Sequence, residues 1–174
     1  MPVHSQSYVA FLRGVSPLNA KMPELKRAFE LAGFGEVRTM LTSGNVVFSA
    51  RPAPDAVLAR KAEAAMQQHL ERSFVTFVRS VDDLRQLLQS DPYAAFGAKR
   101  GFKRVVTFLA SAPKTKLALP LEIVGGRILA LAGREVFGDY RERDRGPAFM
   151  TLLQKTFGKN ITSRTWQTVE KAAR

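Results

Sequence analysis

An α+β fold is predicted for this chain: an N-terminal ferredoxin-like βαββαβ unit, followed by a smaller, less regular α/β unit with C-terminal helices. Three observations lead there. Short runs of alternating apolar and polar residues occur early, longer runs with apolar residues every three or four positions lie between them, and Gly or Pro marks each change of period. Beyond Ser80 the pattern loosens, which divides the chain into 1–80, the ferredoxin-like subdomain, and 81–174, an α/β subdomain ending in two helices.

Tyr8 to Leu12 (YVAFL) is a strand of β-favouring residues ended by Arg13-Gly14. From Met22 to Ala32, Met22, Leu25, Ala28, Phe29 and Ala32 recur at helical spacing, with Pro23 at the start and Gly33 just past the end. Val37, Thr39 and Leu41 alternate with Arg38, Met40 and Thr42, and after Ser43-Gly44 the run Asn45 to Ser49 completes a hairpin. Pro52-Ala53-Pro54-Asp55 breaks the chain and caps a helix whose stripe is Val57, Leu58, Ala62, Ala65, Met66 and Leu70, and Phe74 to Arg79 is a strand again. This succession is the split βαβ arrangement.

In the second part Asp82 and Asp83 open a helix that runs to Ser90, and Asp91-Pro92 stops it. Lys103 to Ala110 is a strand, and Leu121 to Val124 and Arg127 to Leu131 flank Gly125-Gly126 as a hairpin. Arg134 to Phe137 adds a short strand. The following segment, where Asp139, Glu142 and Asp144 alternate with Arg141, Arg143 and Arg145, reads as a solvated charged loop. Ala148 to Phe157 is a helix, and Thr162 or Ser163 caps a last helix that contains Trp166 and Val169.

Composition narrows the function. With 174 residues and 45% hydrophobic content the chain buries a sizeable core, and without cysteine it has neither a disulfide, nor a thiolate metal site, nor a cysteine nucleophile. His4 and His69 have no partners at the spacing of a triad, and Asp82-Asp83 is explained by its place at a helix start. No phosphate-loop, dinucleotide or zinc-helix motif occurs, so neither a metal nor a cofactor is expected. The leader MPVHSQS has no apolar core and no run approaches the roughly 18 apolar residues that span a bilayer. The expectation is a cytoplasmic protein that does not enter membranes.

The charge is the strong bias. The net formal charge is +12, and the first 80 residues hold 10 basic and 6 acidic side chains against 17 and 9 in the remainder. Such a field concentrates nucleic acid, phosphorylated small molecules or an acidic protein surface, and the bland reading is that it serves solubility alone. Two clusters in the second part are candidate nucleic-acid contacts: Lys99, Arg100, Lys103 and Arg104, and then Arg141, Arg143 and Arg145.

Topology supplies a second candidate. In a split βαβ unit the first and third strands are neighbours, so Arg13-Gly14 lies beside Ser43-Gly44-Asn45, at the end of the sheet where the first helix begins. A guanidinium, a glycine-freed backbone, small polar side chains and a helix N-terminus together suit a phosphate or carboxylate. The bland reading is that Gly14 and Gly44 serve only positive φ angles, that Asn45 bonds its own turn, and that Arg13 forms a surface ion pair. Around Arg164 the bland reading is a helix cap with Trp166 anchoring the tail to the body, and the functional alternative is that Arg164 and the helix N-terminus complete an anion site with Arg13.

The elements YVAFLRG at 8–14, KMPEL at 21–25, VRTMLTSGNVVF at 37–48 and TSRTWQTVEK at 162–171 resemble the bacterial domain-of-unknown-function family 1697 over essentially the whole chain. The family's recurrent positions fall here on Leu12, Arg13, Gly14, Met22, Leu25, Gly33, Thr39, Ser43, Gly44, Asn45, Phe48, Arg164, Trp166 and Thr168. The resemblance implies a two-part α/β protein with a ferredoxin-like first half and carries no established activity. One departure is plain: where relatives have a glycine-rich, lysine-containing loop after the LRG element, this chain has VSPLNA, which weakens the case for a nucleotide there.

The resulting expectation is a protein that binds an anionic ligand, nucleic acid or a nucleotide, near the cleft between its two parts. The alternatives are an enzyme acting on a phosphorylated or carboxylated small molecule, with Arg13, Asn45 and Arg164 positioning charge, and a basic protein-interaction module.

Overall fold

The computed structural model describes residues 4–114, 116–144 and 147–174. They form five α-helices and two antiparallel sheets, and contacts divide them into two compact units. One runs to Gln86 and includes Ala172–Arg174, and the other spans Leu87–Lys171. Among the described residues no helix is long and apolar enough to cross a membrane.

The first unit is built from β1 (Gln6–Leu12), α1 (Met22–Leu31), β2 (Gly35–Met40), β3 (Asn45–Ala50), α2 (Asp55–Leu70) and β4 (Thr76–Ser80), in the chain order that the hydrophobic periods predict. Its sheet order is β2-β3-β1-β4, antiparallel at every step, so β1 is central and lies beside β3, with Phe11 opposite Asn45. Alternation sends Tyr8, Ala10 and Leu12 of β1, Val46 and Phe48 of β3 and Val78 of β4 to one face. There they meet Leu25, Ala28 and Phe29 of α1 and Leu58, Ala62 and Met66 of α2, all buried. Phe34 locks this core, its ring 4.4 Å from Phe48.

Two helix starts differ from the sequence reading. At α2 the capping position is Pro54 rather than Asp55, which is instead the first helical residue, where its charge suits the helix dipole. Helix α3 (Val81–Ser90) follows β4 directly, and its cap is the Ser80 hydroxyl, which accepts the Asp83 amide at 3.1 Å.

The second unit is organised on a sheet of order β6-β7-β8-β5-β9, formed by β5 (Phe102–Leu109), β6 (Leu121–Ile123), β7 (Gly126–Ala132), β8 (Glu135–Arg141) and β9 (Ile161–Thr165). Helix α4 (Pro147–Phe157) packs Phe149 and Leu153 on Val105, Ile128, Val136 and Ile161. Gly126, at the start of β7, and mid-strand Gly138 make the seat for Phe149: a Cβ at Gly138 would lie 2.8 Å from its ring and 2.6 Å from the Arg127 carbonyl.

Two corrections concern this unit. The charged segment is not wholly a loop, because β8 extends to Arg141 and carries Asp139 into the interior. Thr162 to Thr165 is likewise strand, paired to β5 from Val105↔Thr165 to Leu109↔Ile161, and helix α5 (Trp166–Ala172) begins after it. The cap is Thr165, whose hydroxyl accepts the Thr168 amide at 3.3 Å.

Candidate nucleic-acid interface

In the first unit the LRG and SGN elements do meet. The Leu12 amide donates to the Gly44 carbonyl at 2.8 Å, and Gly44, at φ +82°, lies so close under Leu12 and Val15 that an added Cβ would come within 2.8 Å of Val15. The turn joining β2 and β3 is closed from within: Asn45, fully buried, donates its carboxamide N–H to the Met40 carbonyl and to the Ser43 hydroxyl, each at 3.0 Å. Gly14 turns the chain at φ +81°, and its carbonyl accepts from the Asn19 side chain at 2.8 Å, while the Asn19 side-chain oxygen accepts the Ser16 amide at 2.9 Å. Arg13 holds the loop through its backbone amide to Val75, and its guanidinium has no hydrogen-bond or ion-pair partner among the described residues. A cavity of about 410 Å³ at this end is lined by Pro17, Leu18, Asn19, Ala20, Lys21, Glu24 and residues 70–72 and 74, not by Arg13 or the 43–45 turn.

Arg164 belongs to the second unit, on β9 opposite Val106. It is buried, and its guanidinium donates to the Thr162 hydroxyl at 2.7 Å and the Ser163 carbonyl at 2.9 Å. Burial lowers its pKa to about 10.

The two basic clusters, separate in sequence, are joined by strand pairing. In the β5–β8 ladder Phe102 is opposite Arg141, Lys103 opposite Tyr140 and Arg104 opposite Asp139. Lys99 and Arg100 precede β5 and Arg143 follows β8 in a 3-10 turn (Glu142–Asp144), all exposed, so six of the seven candidates gather at one end of this sheet. Arg145 lies outside the described residues.

A cavity of about 500 Å³ opens at this end, lined by Gly101, Phe102, Lys103, Arg104, Glu142, Thr165, Trp166, Gln167 and Glu170. Alternation puts Phe102 and Arg104 on one face of β5 and Lys103 on the other. The Arg104 guanidinium sits 5.1 Å over the Tyr93 ring, and Tyr93 meets Trp166 edge to face at 5.1 Å. Tyr93 is fixed in turn by its hydroxyl, which donates to the Val105 carbonyl at 2.5 Å, and burial pushes that hydroxyl well above the ordinary tyrosine range. Lys103 pairs with Glu142 at 3.0 Å, and this hydrogen bond raises the lysine pKa.

Below this surface lies a buried support. The Arg127 Nε donates to one oxygen of Asp139 at 2.8 Å and its Nη2 to the other, while Nη2 also reaches the Gly97 carbonyl at 3.2 Å. Hydrogen bonding to Asp139 raises the arginine pKa further. The pair thus fixes the loop that carries Lys99 and Arg100.

The sequence reading missed Tyr93, Phe102 and Trp166 as one aromatic group. The available signal was Phe102 lying between Arg100 and Lys103, with Trp166 beside a basic element.

A family profile described as "Protein of unknown function (DUF1697)" matches residues 5–137. The chain belongs to that family. The DUF1697 chain also shares its fold with the conserved bacterial protein SP0830 from Streptococcus pneumoniae, at 19% identity, with a TM-score of 0.71 and 98% of each chain covered. No curated protein matches the sequence.

Elsewhere the DUF1697 chain has a cavity of about 700 Å³ in its first unit, lined among others by His4, Glu36, Arg38, Asp82, Arg85 and Arg174. His69 is exposed on α2. Among the described residues no three His, Cys, Asp or Glu side chains cluster as a metal site would require.

Proposed function

We propose that this DUF1697 protein binds an anionic ligand, nucleic acid or a nucleotide, and that the cavity at the β5–α5 end of its second unit is the place of binding. One observation carries the reading: Lys103 and Arg104 line the same recess as Phe102 and Trp166, with Lys99, Arg100, Arg141 and Arg143 at the same sheet end. The cations supply attraction that any phosphate backbone satisfies, and the aromatics supply faces that bases occupy. The test is salt-dependent binding of a short mixed-sequence oligonucleotide. Affinity falls steeply with salt, and Lys103→Ala with Arg104→Ala lowers the log–log slope by roughly 1.4 for a single strand, from about 0.7 per phosphate contact. Absence of binding at about 50 mM salt rejects the reading.

A second reading rests on the cavity of about 700 Å³, where Arg38, Arg85 and Arg174 suit a small phosphorylated or carboxylated molecule. Arg85 is already drawn on there, donating through Nε to the Ala173 carbonyl at 2.9 Å and standing 3.8 Å from Asp82. Thermal shifts on a panel of small phosphates and carboxylates that Arg38→Ala removes support this reading, and a flat panel rejects it.

A further inference from the structure

We infer that the strand bound at this end is single, and that one unpaired base stacks on Trp166. The inference rests on the anion-binding reading above and goes further by naming the form of the nucleic acid and the group that takes the base.

Trp166 is half-buried at the start of α5 and lines the cavity with Phe102. It is held in advance: Tyr93 abuts it edge to face, and Tyr93 is anchored at one end by Val105 and covered by Arg104. A platform whose rotamer is fixed before binding loses little conformational freedom when a base arrives. A duplex keeps its base faces stacked on each other and offers only edges and phosphates, whereas an unpaired base offers the face that an indole stacks on.

The cations next to this platform are available to phosphate. Among the described residues the Arg104 guanidinium has no hydrogen-bond or ion-pair partner and lies over the Tyr93 ring, so its N–H donors remain for an anion. Lys103 is held by Glu142 in an exposed pair, with side-chain exposures of 37% and 69%, and such pairs exchange partners at little cost. Lys99 lies 5.4 Å over the Phe102 ring. Glu170 in the lining carries its carboxylate without a partner among the described residues, and a carboxylate accepts from the amino group of a base, not from a phosphate. A recess that mixes this acceptor with aromatic faces is therefore shaped for a base, with the phosphates placed along its basic rim.

The chain has one tryptophan, so its fluorescence reports this site alone. A short mixed-sequence single strand, the same sequence as a duplex, a nucleoside monophosphate and inorganic phosphate are titrated against the full chain and against Trp166→Ala, Trp166→Phe and the Lys103→Ala, Arg104→Ala double variant, with quenching followed in the proteins that keep the indole and affinity compared across all of them by the anisotropy of a dye-labelled strand, which the unlabelled ligands displace. The expected result is quenching by the single strand, at least tenfold weaker binding of the duplex, and weaker binding of the strand to Trp166→Ala by about 5- to 150-fold, the range for one stacked base. Trp166→Phe keeps an aromatic face and retains most of the affinity, which separates lost stacking from a damaged fold, and an unfolding midpoint is recorded for each variant. Equal or tighter duplex binding, or unchanged fluorescence with Trp166→Ala still binding, overturns the inference while leaving the anion reading intact if the double variant is weakened. A monophosphate that binds as tightly as the strand assigns the site to a free nucleotide and overturns the strand. If the double variant binds as the parent does, the anion reading fails and this inference with it.

Discussion

Removing either partner of the Arg127–Asp139 pair should cost the second unit far more than removing both. The side chains are 8% and 5% exposed, and the first bond, Nε to Oδ1, is 2.8 Å long. At an effective dielectric of 20 the Coulomb attraction at that distance is roughly 6 kcal/mol. Desolvation of the two ions offsets most of it, so the intact pair adds little net stability. Arg127→Met leaves the Asp139 carboxylate buried without its partner, and Asp139→Leu does the same to the guanidinium. Each single variant should lose about 3–5 kcal/mol, roughly a fifth or more of the stability of a typical domain, while Arg127→Met with Asp139→Leu should lie within about 1–2 kcal/mol of the parent. Urea unfolding followed by far-ultraviolet circular dichroism reads this as a shift of midpoint at constant slope, and the double-mutant cycle gives the coupling. Single variants that lose less than about 1 kcal/mol would show that water reaches the pair, and the account of it as a buried support would be wrong. Because Arg127 also holds the Gly97 carbonyl, the same variants should weaken oligonucleotide binding by freeing the loop that bears Lys99 and Arg100.

Gly138→Ala should destabilise by about 1–3 kcal/mol, since its Cβ would stand 2.6 Å from a backbone oxygen that cannot yield; Phe149→Leu relieves only the contact with the ring, so combining the two should not restore the parent midpoint. Tyr93 gives a pH dependence. Its phenol ionises near pH 10 in the unfolded chain and well above that in the folded one, because burial disfavours the anion. The unfolded state then holds fewer protons above pH 10, so stability that is fully present below that pH declines as pH rises, by up to about 1.4 kcal/mol per unit. Tyr93→Phe should lose about 1 kcal/mol at neutral pH through its bond to Val105 and lack this component of the alkaline decline; identical pH profiles for the two proteins would contradict the assignment.

The first unit was readable because its signals are local. The 3.6-residue stripe from Met22 to Ala32 and the alternation in β1 and β3 each contain their own evidence, and the pairing of β1 with β3 follows from the order of those elements. The second unit was less readable because its decisive contacts are long-range. Thr162 and Ser163 look like helix caps, yet pairing with β5, more than fifty residues earlier, keeps Ile161–Thr165 extended. The β-branched Ile161, Thr162 and Thr165 carried that possibility, and five residues were too few to outweigh the cap. Asp139 looked solvated among its charged neighbours because nothing near it in sequence reveals Arg127. For the candidate site the basic residues were visible and their convergence was not, since it depends on the register of β5 against β8.

That register also gives the basic surface a history. A nascent chain released only as far as Ala132 already contains Lys99, Arg100, Lys103 and Arg104, yet has neither β8 nor the arginines that follow it, and Trp166 is still to be made. At that stage four of the six described cations are present, and the indole is not. The surface therefore comes into being late, as a product of closing the second sheet, and anything that delays β8 from docking on β5 delays its completion.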